Sequence, residues 1–248
     1  RAVTLTHPIA ATVGDCDVAY TATDTGLDVA VKTERDFKAE RLTLLAQRSG
    51  LARLSLNGQM VIESRPPAIR MGKAMVEIPI ASFLQATAMA EAELSKLVLE
   101  GVGNAKSTAD LFCGVGPFAL RLAEQAKVFA VDSDRLAIAA LQKAVRFTQG
   151  LKPVTAQFRD LFREPLVPVE LKDYDAVVFD PPRAGAEAQA RELAKSKVKI
   201  VVGVSCDPRT FARDAAILVA GGYRLEKVTP VDQFAWSMHV EMVGVFRK

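Results

Sequence analysis

From about Ser107 onward, short apolar runs alternate with amphipathic stretches, and this rhythm limits the fold more than any other feature of the 248-residue chain. The runs "TADLFC", "KVFAVD", "VTAQFR", "DAVVFD" and "KIVVGVS" have the length and β-branched content of strands. Strands separated by helical patterns form crossover units, and such units build a doubly wound, mostly parallel sheet. A helix is predicted from about Arg209 to Val219, followed by strand patterns in "YRLEKVTPVD" and "HVEMVGVFR". No helical pattern separates those two, so the last strand is predicted to return antiparallel to its neighbours.

Residues 17–80 have a different character. "VAYTAT" and "LDVAVKT" flank the turn signal "DTG", while "LARLSL" and "QMVIES" flank Asn57-Gly58, a strong two-residue hairpin signal. Between them "ERDFKAERLTLLAQRSG" reads as a helix stopped by Gly50, and a second helix is predicted from about Thr87 to Glu100, ending before Gly101. The organisation expected is a small strand-rich α+β region over residues 1–80 and a larger α/β domain over 81–248.

Half of the residues are hydrophobic and a quarter are charged, the profile of a chain with a full core. A formal charge of +3 admits a nucleic-acid partner without demanding one. No uninterrupted apolar stretch is long enough for a bilayer and no secretion signal stands at the N-terminus, so the expected location is the cytoplasm. Cys16, Cys113 and Cys206 show no CxxC spacing, which argues against a disulfide framework or a metal site. The chain begins at Arg1 without a methionine, as a processed or truncated product would.

The first strand of the α/β part runs into "DLFCGVGPF", where Gly114 and Gly116 allow a tight turn and close approach of a ligand. The second strand ends in Asp132, placed for a carboxylate to accept hydrogen bonds from ribose hydroxyls. Together they favour an adenosine-containing cofactor. The loop lacks the third glycine that a pyrophosphate favours, so S-adenosylmethionine is preferred to a nicotinamide dinucleotide. Asp160, after the third strand, reads either as a group facing the adenine or as a turn cap.

The fourth strand ends in "DPPRAG", whose prolines present Asp180 rigidly at the carboxyl edge of the sheet. The fifth strand delivers Cys206 to the same edge. Cys113 and Cys16 read as core filler, whereas Cys206 is followed at once by Asp207 and Pro208, which end the strand and make it a candidate nucleophile.

The series "DLFCGVG", "DPPRAG", "VSCDPRTFARD" and "DQFAWSMHVE", with "SFLQ" upstream, resembles the RNA uracil-5 methyltransferases from about Phe83 to the C-terminus. The resemblance implies a Rossmann-like class I methyltransferase sheet with an antiparallel last strand, preceded by a small N-terminal α+β region. It implies S-adenosylmethionine as cofactor, with Gln85, Phe112, Gly114, Asp132, Asp160 and Asp180 around it, and Asp180 in reach of the target base. It implies Cys206 as the nucleophile that adds to C6 of uracil and Glu241 as the base that removes the C5 proton, giving 5-methyluridine. Arg183 and His239 stand nearby as a phosphate contact and an orienting group, each with a bland surface or structural alternative.

The expected partner is RNA, ribosomal in preference to transfer, acting on a monomer away from any membrane. The competing readings are an amine-directed nucleic-acid methyltransferase and a non-catalytic RNA-binding protein on the same fold. The N-terminal RNA-gripping barrel and four-cysteine iron-sulfur segment of many relatives are not seen in the first eighty residues, and Pro117 stands where relatives often carry a polar residue.

Overall fold

The computed structural model of the chain describes residues 2–35, 40–233, 237 and 239–248. It divides into two compact units, Arg1–Arg70 with Met75–Ser82, and Met71–Ala74 with Phe83–Lys248.

In the first unit, α1 (Ala2–Val13), β1 (Asp17–Thr23), β2 (Gly26–Lys32), α2 (Glu40–Arg48), β3 (Arg53–Leu56) and β4 (Gln59–Glu63) form a sheet of order β1-β2-β3-β4 with two helices. Asn57 and Gly58 have φ of 48° and 79°, so both turn residues are left-handed and the β3–β4 hairpin closes as predicted. β2 and β3 run parallel, and their register sets Asp28 opposite Arg53 in a buried two-pronged ion pair at 3.0 and 2.6 Å. The helix predicted from Glu34 starts later, since Glu34 and Arg35 lie in a bend and residues 36–39 fall outside the described residues. The helix α1 was not predicted. It carries Pro8 internally but buries Leu5, Ile9 and Val13 at four-residue spacing against Val29, Val31 and Leu42.

A two-stranded sheet follows, β5 (Ala68–Met71) and β6 (Ala74–Glu77). In the second unit, Thr87 caps α3 (Ala88–Val102) by accepting the Ala90 N–H at 3.0 Å. This helix passes through Gly101, contrary to the predicted end before it. The residue is glycine for packing: a Cβ there would lie 2.9 Å from Val202 and 3.0 Å from Val245. Gly103, at φ 62°, is the residue that ends the helix.

The chain then alternates through β7 (Ser107–Leu111), α4 (Pro117–Leu122), β8 (Lys127–Asp132), α5 (Arg135–Phe147), β9 (Val154–Phe158), α6 (Pro168–Leu171), β10 (Ala176–Phe179), α7 (Glu187–Lys195), β11 (Ile200–Ser205) and α8 (Pro208–Ala220). It ends with β12 (Arg224–Val231) and β13 (Glu241–Arg247). The seven strands lie in the order β12-β13-β11-β10-β7-β8-β9, and β13 is antiparallel to both β12 and β11, as predicted. Leu111, Val131, Val177, Phe179, Val201, Phe211 and Phe246 belong to one core cluster, each full burial worth roughly 1.5–3 kcal/mol.

From β7 the chain winds outward through β8 to β9, then crosses to β10 on the other side of β7. That reversal opens a crevice at the carboxyl ends of β7 and β10, the usual ligand position in open α/β sheets. The ends of β8 and β11 and the start of β13 share this edge. Among the described residues no helix is long and apolar enough to cross a membrane.

Candidate active site

The loop after β7 begins with Phe112 at φ 60°, an uncommon left-handed conformation for a residue with a side chain and one that marks functional loops. Its ring packs on Phe162 at 5.4 Å. Gly114 and Gly116 also have positive φ, for different reasons. A Cβ on Gly116 would lie 2.6 Å from Leu141, so that glycine lets α4 and α5 close together, whereas a Cβ on Gly114 would meet nothing within 4 Å. The surface above Gly114 is open to a ligand. Its N–H donates to Asp132 Oδ2 at 2.8 Å and the Asp134 N–H donates to Oδ1 at 2.8 Å, so backbone groups fix the carboxylate at the end of β8. Pro117 is the first residue of α4, where its missing N–H costs no helix bond.

Asp160 accepts the Phe162 N–H at 3.0 Å and pairs with Arg163 at 3.5 Å. It caps its own turn, one of the two roles that the sequence allowed, and thereby holds Phe162 against Phe112. On β7, Asp110 is fully buried and neither of its oxygens has a hydrogen-bond partner among the described residues. Burial, then the charges of Asp180 and Asp132, push its pKa well above the usual carboxyl range, while the Ala119 amide opposes this without reaching hydrogen-bond geometry. Cys113 is buried, as expected of core filler, and burial with Asp110 pushes its thiol up.

On the other side of the crevice, the Asp180 N–H donates to the Leu111 carbonyl at 3.2 Å, which ties the end of β10 to the end of β7. At the end of β11, Asp207 accepts the N–H groups of Arg209 and Thr210 at 2.8 and 3.3 Å as the cap of α8, and Pro208 is its first residue. The Ser205 hydroxyl accepts the Asp207 N–H at 3.3 Å. This local closure leaves Cys206 half-buried at the strand-to-helix junction. Because Ser205 pairs with Met242 in antiparallel register, the next step along the strands brings Cys206 and Glu241 to the same end.

Glu241 is only 4% exposed. Its Oε1 accepts from Gln233 Nε2 at 3.2 Å, and the same nitrogen donates to Gln85 Oε1 at 2.8 Å. Gln85 Nε2 donates onward to Asp180 Oδ2 at 3.3 Å. Two carboxyls, one just past the end of β10 and one at the start of β13, are thus joined through two amides from distant parts of the chain. Close by, Arg183 Nη2 donates to His239 Nε2 at 3.2 Å.

The electrostatics of this set run in one direction. Burial, reinforced by the charge of Glu241, raises Asp180 to about 7. Burial raises Glu241, and the Gln233 hydrogen bond partly offsets it. Burial, Glu241 and Asp180 push the Cys206 thiol up, with Arg183 opposing them. All three shifts favour the protonated form of the group concerned, and the charge of Glu241 contributes to those of both Asp180 and Cys206.

The structure brings Phe112, Gly114 and Asp132 together at one side of the crevice and Asp180, Cys206 and Glu241 together at the other. Gln85, grouped with the cofactor residues in the sequence, lies in the hydrogen-bond chain between Asp180 and Gln233. Gln233 and Asp110 had no assigned role. Gln233 lies inside "DQFAWSMHVE", and the one signal available was an amide in that motif beside the Gln85 of "SFLQ".

A family model described as tRNA (uracil-5-)-methyltransferase matches residues 27–248, reaching well upstream of Phe83. An uncharacterized RNA methyltransferase of Brucella suis biovar 1 is 55% identical over 238 residues, covering 95% of this chain and 57% of the relative. The 23S rRNA (uracil(1939)-C(5))-methyltransferase RlmD of Colwellia psychrerythraea is 41% identical over 143 residues, 55% of this chain and 30% of that protein. The crystal structure of Pyrococcus abyssi tRNA (uracil-54, C5)-methyltransferase with S-adenosyl-L-homocysteine shares the fold, with a TM-score of 0.75 at 24% identity over 92% of this chain and 59% of that one. The chain spans a little over half the length of the Brucella relatives that it matches. With nearly nine-tenths of its residues inside the family match, the chain belongs to the tRNA (uracil-5-)-methyltransferase family.

Proposed function

We propose that this chain carries the catalytic part of an RNA (uracil-5-)-methyltransferase that uses S-adenosylmethionine and makes 5-methyluridine in ribosomal RNA. The observation that carries the reading is the meeting of a thiol and two proton-accepting carboxyls, Cys206, Asp180 and Glu241, at the edge of the sheet beside the open Gly114 loop. The residues present suit the cofactor: Gly114 leaves room at the loop, Asp132 presents a carboxylate suited to ribose hydroxyls, and no third glycine prepares the loop for a pyrophosphate. Phe112 and the turn capped by Asp160 would border it. When bound, S-adenosylmethionine supplies an electrophilic methyl group.

C5 of uracil is a weak nucleophile. Addition of the Cys206 sulfur to C6 breaks the C5–C6 π bond and moves its electrons onto C5 and the O4 carbonyl, giving an enolate that is nucleophilic at C5. Since the thiol is held protonated, the thiolate forms at the moment of addition rather than in the resting protein. Asp180, with a pKa of about 7, is partly protonated at neutral pH and suited to donate a hydrogen bond to the enolate oxygen. Once C5 bears the methyl group, Glu241 takes the C5 proton, the C5–C6 double bond re-forms and the C6–S bond breaks with its electrons returning to sulfur. Burial raises the proton affinity of Glu241, which suits it to that task.

The target uridine must leave its stack to reach this edge, at a cost of about a few kcal/mol, which favours a loop or unpaired position. Ribosomal RNA is the preferred substrate because the RlmD-type relative is named for 23S rRNA. The test is nucleoside mass spectrometry on separately purified ribosomal and transfer RNA from cells with and without the gene. The expected result is loss of 5-methyluridine from the ribosomal pool. Loss only from transfer RNA would overturn the substrate, and loss of a methylated purine with 5-methyluridine intact would overturn the reaction.

A further inference from the structure

Gln233 makes two donations from one nitrogen, to Glu241 Oε1 at 3.2 Å and to Gln85 Oε1 at 2.8 Å. Both of its amide hydrogens are used, and both point at the reactive edge. Its own Oε1 is buried with no hydrogen-bond partner among the described residues. An unpaired buried acceptor costs about 1–3 kcal/mol, so an amide at this position is a poor choice for stability alone, and an apolar side chain would remove that cost. Gln85 is in turn anchored by donating to Asp180 at 3.3 Å. The fixed order of donors and acceptors allows Gln233 only one useful orientation. With Oε1 turned toward Glu241, two acceptors would face each other.

We propose that Gln233 is a positioning residue for proton removal: its amide holds the Glu241 carboxylate through one hydrogen and registers it against Gln85 and Asp180 through the other. Glu241 stands at the first position of β13, where the strand fixes its backbone, and among the described residues Gln233 is the side chain that hydrogen-bonds its carboxylate. Among the described residues, Asp180 and Cys206, at the ends of β10 and β11, are titratable groups that interact electrostatically with it, and neither is a hydrogen-bond donor that steadies an ionised carboxylate while itself ionised. Gln233 is neutral and supplies that donor at every pH. The inference rests on the reading of Cys206 and Glu241 given above, and it assigns Gln233 to the last stage, after the sulfur has already added to C6.

That stage has its own signature. If the C5 proton cannot be removed, the C6–S bond cannot break, and protein and RNA stay covalently joined. The experiment takes the protein as the cell makes it, with S-adenosylmethionine and ribosomal RNA from cells lacking the gene, and compares wild type, Glu241→Gln, Gln233→Leu and Gln233→Glu on denaturing gels. Gln233→Glu keeps the shape of the side chain while replacing the donor by an acceptor, so it serves if the leucine variant unfolds. Glu241→Gln is expected to accumulate the adduct. Both Gln233 variants are expected to accumulate it as well, with kcat lowered about 100-fold and KM for RNA within about twofold of wild type. An adduct in Glu241→Gln but in neither Gln233 variant would overturn the role of Gln233 and leave the covalent reading standing. So would a loss confined to KM. No adduct in Glu241→Gln, with turnover intact, would overturn both.

Discussion

At the end of β8 the Asp132 carboxylate accepts two backbone N–H groups, each at 2.8 Å, whereas at the start of β13 the Glu241 carboxylate accepts one side-chain amide at 3.2 Å. The first arrangement uses donors that belong to a turn and cannot rotate away. It suits a group whose task is to present the same acceptor to every ligand. The second uses burial and a single neutral donor, and its neighbours Asp180 and Cys206 are pushed toward their protonated forms by the same burial and by mutual repulsion. It suits groups that gain and lose protons in turn. The proposed function thus assigns binding to one side of the crevice and proton transfer to the other.

The comparison breaks most visibly at Asp132. Asp132→Ala removes the acceptor of both loop amides as well as the proposed ribose contact, and charge-assisted hydrogen bonds contribute about 1.5–3 kcal/mol each. Affinity for S-adenosylhomocysteine is expected to fall about 100-fold by calorimetry. Unchanged affinity would take Asp132 out of the cofactor site.

A smaller effect sharpens the other side. Asp180 is raised from 3.8 to about 7, so folding favours its protonated form. The associated stability is fully present below the unfolded pKa and is lost as pH rises through about 7. Asp180→Asn removes the charge that must be buried, so its stability should exceed wild type by about 2 kcal/mol at pH 8, once solvent access to the half-buried group is allowed for, with the gain shrinking toward pH 4. Denaturant melts across that range check it. A constant difference at every pH would show that burial of the ionised carboxyl is not what raises it.

The strands of the α/β unit were legible because their β-branched runs, from "KVFAVD" to "KIVVGVS", carry local propensity and pattern that agree. The antiparallel return of β13 was legible from the lack of a helix between "YRLEKVTPVD" and "HVEMVGVFR". Cys206 and Asp180 were legible because Asp-Pro pairs end their strands abruptly. Other features depend on contacts that a linear reading cannot contain. Gly101 reads as a helix stop until Val202 and Val245 are packed against it. α1 is hidden by Pro8, which its buried face outweighs. The link between Gln85 and Gln233 spans 148 residues and exists only after β10 and β13 are set in the sheet. Asp110 gives no local sign that it will be buried without a partner.

The most direct test of the covalent reading uses RNA carrying 5-fluorouridine. Fluorine at C5 leaves no proton for Glu241 to remove, so a thiol-mediated reaction halts with protein and methylated RNA joined. Digestion and peptide mass spectrometry should place the nucleotide on Cys206, in the segment "VSCDPR". If unmodified RNA is methylated at C5 while fluorinated RNA yields no link to Cys206, the assignment of Cys206 as nucleophile is contradicted.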